Sequence, residues 1–371
     1  MKKKILFILH IPPPVHGSSV IGMQIKNSTK INDEFDCLYV NLGTSVSIDE
    51  IGKRGFVKVF RFASIWVTVL RQLIIFRPGL CYFAITAKGS AFYKDASIVF
   101  LMKIFGIKLV YHFHNKGVST RQDKWIDNLL YRFVFKNNDV ILLSKYLYPD
   151  IQKYVLNERV HYCPNGIPDL EGNNIVSRKN GDNRTVEILF LSNLIESKGV
   201  FVLLEACAIL LKNQVSFHCT FVGGNGDVNE EKFNKTVQKL HLENNVVYLG
   251  KKYGVEKETE FTKADIFAFP TYYHNETFGL VNLEAMQHSL PIVSTLVGGI
   301  PDVVEDGVTG FLVPQNNAQA LADKLAILIN NPEIRQQMGV AGREKYEKEF
   351  TLATFEITLT SILNTVSNKN F

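Results

Sequence analysis

Glu276-Thr-Phe-Gly-Leu-Val-Asn-Leu-Glu284, continued by Pro291-Ile-Val-Ser-Thr295 and Gly298-Gly-Ile-Pro-Asp302, decides the reading of this chain. Gly279 supplies backbone freedom at a turn, and Leu280, Val281, Leu283 and Ala285 begin an apolar run that packs as a short helix. The first N–H groups of such a helix have no partners within it and suit a phosphate. Glu276 then lies in the preceding loop, within reach of a sugar. Glu284 lies about two turns into the helix, where a carboxylate can accept from ribose hydroxyls. Two glutamates flanking a helix start are also common as caps and surface charges, so the surrounding segments have to decide.

Upstream, an apolar strand over 188–191 leads into Ser192-Asn-Leu-Ile-Glu-Ser-Lys198-Gly199, which can aim the Lys198 ammonium at a diphosphate. A second strand runs into Gly223-Gly224-Asn225-Gly226, a loop able to approach a nucleotide closely or simply to turn the chain. Downstream, Gly298 and Gly299 suit the shaping of a pocket, Asp302 and Glu305 read as caps or pocket acids, and Asp306-Gly-Val-Thr-Gly310-Phe-Leu-Val313 closes the series.

In this order the segments resemble the retaining glycosyltransferases of family 4, with Glu276 and Glu284 matching that family's Glu-x7-Glu motif. The resemblance spans nearly all of the second half. It is weaker in the first half, through the N-terminal strand with its Gly17 loop, the His114 region and Pro164-Asn-Gly-Ile-Pro168. It implies an α/β fold of GT-B type, two Rossmann-like domains with parallel sheets facing a central cleft. It also implies a UDP-sugar as donor substrate, with no obligatory cofactor or metal. Glu276 would contact the donor hexose, Glu284 the ribose, and Lys198 with the backbone at Phe278, Gly279, Leu280 and Val281 the diphosphate; Gly17 would admit the donor phosphate or the acceptor near the backbone, and Gly224 the nucleotide. An arginine usually occupies the position of Asn193, which keeps hydrogen-bonding capacity without the charge.

With 371 residues, 46% hydrophobic and 21% charged, the chain has material for two folded domains. Its five cysteines are scattered and read as buried reduced thiols, pointing to a cytosolic setting. The run Ile5-Leu-Phe-Ile-Leu9 is short for a signal-peptide core and reads as a buried strand. Lys58, Arg61 and Arg71 interrupt the apolar stretch 56–76, against a transmembrane helix. Between Ile51 and Lys103 nine Lys/Arg residues face one acid, Asp95, with large apolar residues interleaved. That pattern fits a surface for anionic lipid or a lipid-linked substrate and equally a core helix with a basic rim; no nucleic-acid module accompanies it.

Strands are predicted over 5–9, 37–41, 80–85, 108–112 and 139–143, alternating with helices over 19–30, 56–76, 90–105 and 123–136. A second set has strands over 188–191, 217–222, 246–249, 266–270, 291–294 and 310–313, with helices over 200–211, 230–240, 256–263, 280–288 and 317–329, and a helical run over 336–364. The expected organisation is an N-terminal acceptor domain 1–168, a linker 169–185, a nucleotide-sugar domain 186–345, and a segment 346–371 that packs back on the first domain. In Val110-Tyr-His-Phe-His114 the two histidines point to one side of an extended chain. The resemblance assigns His114 to orienting the donor sugar or the reacting hydroxyls, with His112 a neighbouring candidate; no nearby acid completes a metal site with the two.

The expected activity is transfer of a hexose or N-acetylhexosamine from a UDP-sugar to a polyprenyl-diphosphate-linked saccharide in bacterial capsule or O-antigen assembly, at the cytoplasmic face of the inner membrane. Two other classes stay open. A UDP-sugar epimerase would transform donor without an acceptor, and a noncatalytic sugar-binding or assembly protein would not turn it over.

Overall fold

The computed structural model describes residues 2–43, 56–170 and 185–369. The chain divides into two compact units, one formed by Met1–Gly166 with Leu352–Phe371 and the other by Ile167–Thr351.

In the first unit six parallel strands, β1 (Lys4–Leu9), β2 (Asp36–Asn41), β3 (Leu80–Phe83), β4 (Lys108–His112), β5 (Asp139–Leu142) and β6 (Val160–Tyr162), lie in the order 2-1-3-4-5-6. The buried run of β1 explains why it sits inside the sheet rather than at an edge. Helices α1 (Gly17–Asn27), α2 (Thr29–Glu34), α3 (Phe56–Ile75), α4 (Gly89–Ile104) and α5 (Trp125–Phe135) connect the strands, and a late helix, α13 (Leu352–Asn368), joins this unit. The predicted 19–30 helix breaks at Ser28, whose hydroxyl accepts from the Ile31 N–H and starts α2. Strand β6, three residues long and half-exposed, gives too little apolar pattern to be read from sequence.

Helices α3, α4 and α5 share an unusual outer surface. Phe60, Val67, Ile74 and Ile75 of α3, Phe100 and Ile104 of α4, and Trp125, Ile126 and Leu129 of α5 are all exposed, Phe60 and Trp125 by 75% and 76%. The acids Asp95 and Asp127 on these helices are buried, whereas Arg71 and Arg132 remain exposed. No helix among the described residues is long and apolar enough to cross a membrane.

The second unit repeats the architecture with β7 (Val186–Leu191), β8 (Phe217–Val222), β9 (Val246–Tyr248), β10 (Ile266–Phe269), β11 (Ile292–Thr295) and β12 (Gly310–Val313), all parallel in the order 12-11-10-7-8-9. Its helices are α6 (Val200–Lys212), α7 (Glu230–Lys239), α8 (Gly254–Lys263), α9 (Leu280–Gln287), α10 (Ile300–Val303), α11 (Ala318–Asn330) and α12 (Pro332–Glu349). The predicted 336–364 run is two helices. The backbone leaves α12 at Phe350, whose carbonyl accepts from Ile167 N at 3.1 Å, and Thr351 bridges Ile167 before α13 begins.

In both sheets the chain starts centrally, builds one side, then crosses to the other. The reversal falls between β1 and β3 in the first unit and between β7 and β10 in the second. Ligands of open α/β sheets bind at the carboxyl ends of such strand pairs.

Candidate active site

The loops following β7 and β10 are pinned together at the second unit's reversal point. Gly199 sits at φ +93°, and a Cβ there would stand 2.3 Å from the Pro270 carbonyl oxygen; only glycine combines that conformation with that approach. Ser197 O accepts from Tyr272 N at 2.8 Å. The pinning brings Lys198 Nζ to 2.5 Å from Glu276 Oε2, both side chains largely buried. The ammonium also lies 4.7 Å from the Tyr273 ring centroid and 5.4 Å from that of Phe269, which compensates part of its lost hydration. Gly298, at φ +56°, backs the same loop, with 2.3 Å between a would-be Cβ and the Glu276 carbonyl oxygen, while Gly299 N donates to Thr277 O at 2.7 Å.

Asn193 is tied to the glycine loop after β8. Its Oδ1 accepts from Gly224 N at 3.1 Å, and Leu194 N donates to Gly224 O at 2.7 Å. The amide carbonyl at this position is thus a loop brace. Helix α9 starts at Gly279, in the left-handed region at φ +72°, without a side-chain cap. The Phe278 side chain is buried against Phe350. Leu280 and Val281 form the first turn, and Glu284 follows with its carboxylate 2.9 Å from Lys257 Nζ. Glu258, next to Lys257, is held below the usual carboxylate range by a 2.8 Å hydrogen bond with His288 Nε2.

Sequence reasoning passed over Asn282. It is fully buried in the first turns of α9, and neither its Nδ2 nor its Oδ1 has a hydrogen-bond partner. A buried unpaired amide is costly. Its only sequence signal was a polar residue on an otherwise apolar helix.

The first unit gathers four histidines. His16 caps α1, accepting at Nδ1 from Ser19 N at 3.4 Å while Ser19 Oγ accepts from His16 N at 2.9 Å, so Gly17 is the first helical residue. The His16 ring meets that of His10 at 5.7 Å, and the His112 and His114 rings lie 4.2 Å apart. Burial, then His16 and Lys94, lower the pKa of His10 to about 4; burial, then His10 and His16, lower that of His114 to about 3. All four are neutral near pH 7. Among the described residues no group of three or more His, Cys, Asp or Glu side chains is placed to hold a metal ion.

Two units, each built on a six-stranded parallel sheet with a strand reversal, are the architecture of the GT-B fold. Residues 174–345 match the family described as glycosyl transferases group 1. The chain is 29% identical over 255 residues to the amylovoran biosynthesis glycosyltransferase AmsK of Erwinia amylovora, 67% of this chain and 62% of that one. It is 33% identical over 184 residues to the putative colanic acid biosynthesis glycosyltransferase WcaL of Escherichia coli K12, 48% of this chain and 45% of the relative. The chain thus spans about half to three-fifths of the length of such relatives. The crystal structure of Anabaena Alr3699/HepE in complex with UDP has the same fold, with a TM-score of 0.75 at 18% identity, covering 98% of this chain and 100% of that one.

Proposed function

We propose that this protein is a retaining glycosyltransferase that moves a hexose or N-acetylhexosamine from a UDP-sugar to a lipid-linked glycan in bacterial surface polysaccharide assembly. The observation that carries this reading is the Lys198–Glu276 pair, held at the carboxyl ends of β7 and β10 beside the uncapped start of α9. Names of the relatives, in colanic acid and amylovoran biosynthesis, support the pathway class, and the UDP in the Anabaena protein supports the donor class.

In this reading the diphosphate lies at the Gly279–Val281 backbone, with Lys198 neutralising the charge that develops as the bond to the sugar breaks. The unpartnered Asn282 amide supplies an additional polar contact below that turn. Glu276 accepts from donor hexose hydroxyls and Glu284 from ribose hydroxyls; Gly17 and Gly224 let the ligand approach the backbone. The neutral His114 both donates to and accepts from sugar hydroxyls. Attack comes from the face the nucleotide leaves, and a phosphate oxygen receives the acceptor proton. A double displacement through Glu276 is the alternative route.

The acceptor is a polyprenyl-diphosphate-linked saccharide, and the protein works as a peripheral protein at the cytoplasmic face of the inner membrane. The exposed apolar and cationic surface of α3, α4 and α5 supports that placement. Purified protein incubated with UDP-hexoses and UDP-N-acetylhexosamines should elongate such an acceptor with retained anomeric configuration. Donor interconversion without acceptor would instead mark an epimerase, and sugar binding without turnover a noncatalytic component.

A further inference from the structure

We propose that Tyr82 is a positioning residue, whose hydroxyl locks His112 in the tautomer protonated at Nε2 so that the His112 ring forms a fixed plate orienting His114. The sheet register creates this arrangement. Tyr39, Phe7 and Tyr82 are adjacent across β2, β1 and β3, and Tyr82 pairs with Val110 on β4. His112, two residues past Val110, therefore shares their face. The rings form a continuous row: Tyr39 to Phe7 at 5.0 Å, Phe7 to Tyr82 at 5.3 Å, Tyr82 to His112 at 5.7 Å and His112 to His114 at 4.2 Å.

The tautomer follows from counting donors and acceptors. Tyr82 Oη lies 2.6 Å from His112 Nδ1, both residues are fully buried, and His112 Nε2 has no hydrogen-bond partner. Were the proton on Nδ1, the Tyr82 O–H would be left in the core without an acceptor, in addition to the unpaired Nε2. With Tyr82 as donor, Nε2–H is the single unpaired group, the less costly arrangement. Burial, then His114, keeps His112 from taking a second proton. Other titratable groups around this row include Cys37 beside Tyr39, Cys163 beside Tyr82, and His10 and His16 beside His114. The row thus ends in one rigid, neutral imidazole, and His114 stacks on it at a 39° tilt.

The link to turnover rests on the transferase reading above, whereas the tautomer does not, and the experiment separates them. Long-range ¹H–¹⁵N spectra of histidine-labelled protein should show His112 protonated at Nε2 and bare at Nδ1. In Tyr82→Phe a second His112 tautomer should appear and the His114 ring signals should shift. UDP release from UDP-hexoses or UDP-N-acetylhexosamines with the lipid-linked acceptor present should then fall about tenfold in kcat, the equivalent of one hydrogen bond, with the donor KM within about twofold. The double variant Tyr82→Phe/His112→Phe removes both polar partners, which is close to neutral for folding; it should keep the wild-type unfolding midpoint and lose kcat as the single variant does. A wild-type His112 protonated at Nδ1, or wild-type His114 signals in Tyr82→Phe, overturns the proposal. If the wild type releases UDP from none of the donors with acceptor present, the transferase reading falls and the spectra alone decide the lock.

Discussion

Lys198 and Glu276 are 78 residues apart in sequence and share a hydrogen bond of 2.5 Å. Each is the other's counterion where water is largely excluded, so removing one leaves a charge without its partner. Lys198→Ala should cost about 2–3 kcal/mol of stability and about 10²–10⁴-fold in turnover. Lys198→Met/Glu276→Gln should recover most of the stability and none of the activity. Urea midpoints and kcat on the three proteins check this; activity returning with stability would show that the pair only holds the loops.

Glu284 is braced by Lys257 at 2.9 Å. Glu284→Ala should weaken UDP binding by about 1.5–3 kcal/mol through loss of a charged acceptor. Lys257→Met should have a smaller effect, because it frees the carboxylate without removing it. Calorimetry with UDP on folded variants separates the two, and unchanged affinity in Glu284→Ala would take Glu284 out of the ribose site.

Asn193→Arg replaces the acceptor of the Gly224 N–H. We expect a stability loss of about 1 kcal/mol from the unbraced loop together with tighter UDP binding from the added charge. It should not restore all the turnover lost in Lys198→Ala, since the two side chains leave different points of the loop after β7, Asn193 against Gly224 and Lys198 against Glu276. Full rescue would mean that any cation at this reversal point suffices.

Titration of the first unit should give stability a pH slope of mixed sign. His10 and His114, with pKa lowered to about 4 and about 3, take up protons in the unfolded chain but not in the native one as pH falls below about 6.5. Each therefore removes on the order of 1 kcal/mol per pH unit on acidification. Asp95, buried and raised to about 7, stays protonated in the native state while the unfolded carboxyl ionises, so its contribution is lost as pH rises from about 4 to 7. The histidines outnumber it, and net stability should fall from pH 6.5 to 5. Urea midpoints across that range should flatten in His10→Gln/His114→Gln and steepen in Asp95→Asn; a slope unaffected by either refutes the assignment.

Binding to vesicles containing anionic lipid should depend on the outer surface of α3 and α5. Lys58→Gln/Arg61→Gln should weaken vesicle association by about 1 kcal/mol per charge at low salt and less at high salt. Trp125→Ala/Leu129→Ala should weaken it at both, because apolar insertion is not screened. Wild-type flotation in both variants would leave a water-soluble acceptor as the leading substrate.

Much of this was legible beforehand, for identifiable reasons. The buried strands of both sheets announce themselves as short apolar runs, as in Ile5-Leu-Phe-Ile-Leu9. The Glu276 and Lys198 loops could be read because glycines punctuate them. Partnerships were not legible: nothing local in Lys198 says that it meets Glu276, or in Asn193 that it braces Gly224, since both depend on which strands become neighbours. Tyr82 and Asn282 were invisible for the same reason. Lys53 and Arg54, two of the nine basic residues between Ile51 and Lys103, and most of the linker 169–185 lie outside the described residues.

Helix α13 gives the order of synthesis a structural meaning. Phe355, Leu359, Leu363 and Val366 are buried in the unit whose first strand begins at Lys4, and Lys3 Nζ reaches Asn368 Oδ1 at 2.7 Å. The second unit is one uninterrupted stretch, Ile167–Thr351, whereas the first is assembled from segments on both sides of it. The amino-terminal sheet, made first, must wait for the last helix to seal it. Until then its apolar flank is open, so the half made earlier is the later to be completed.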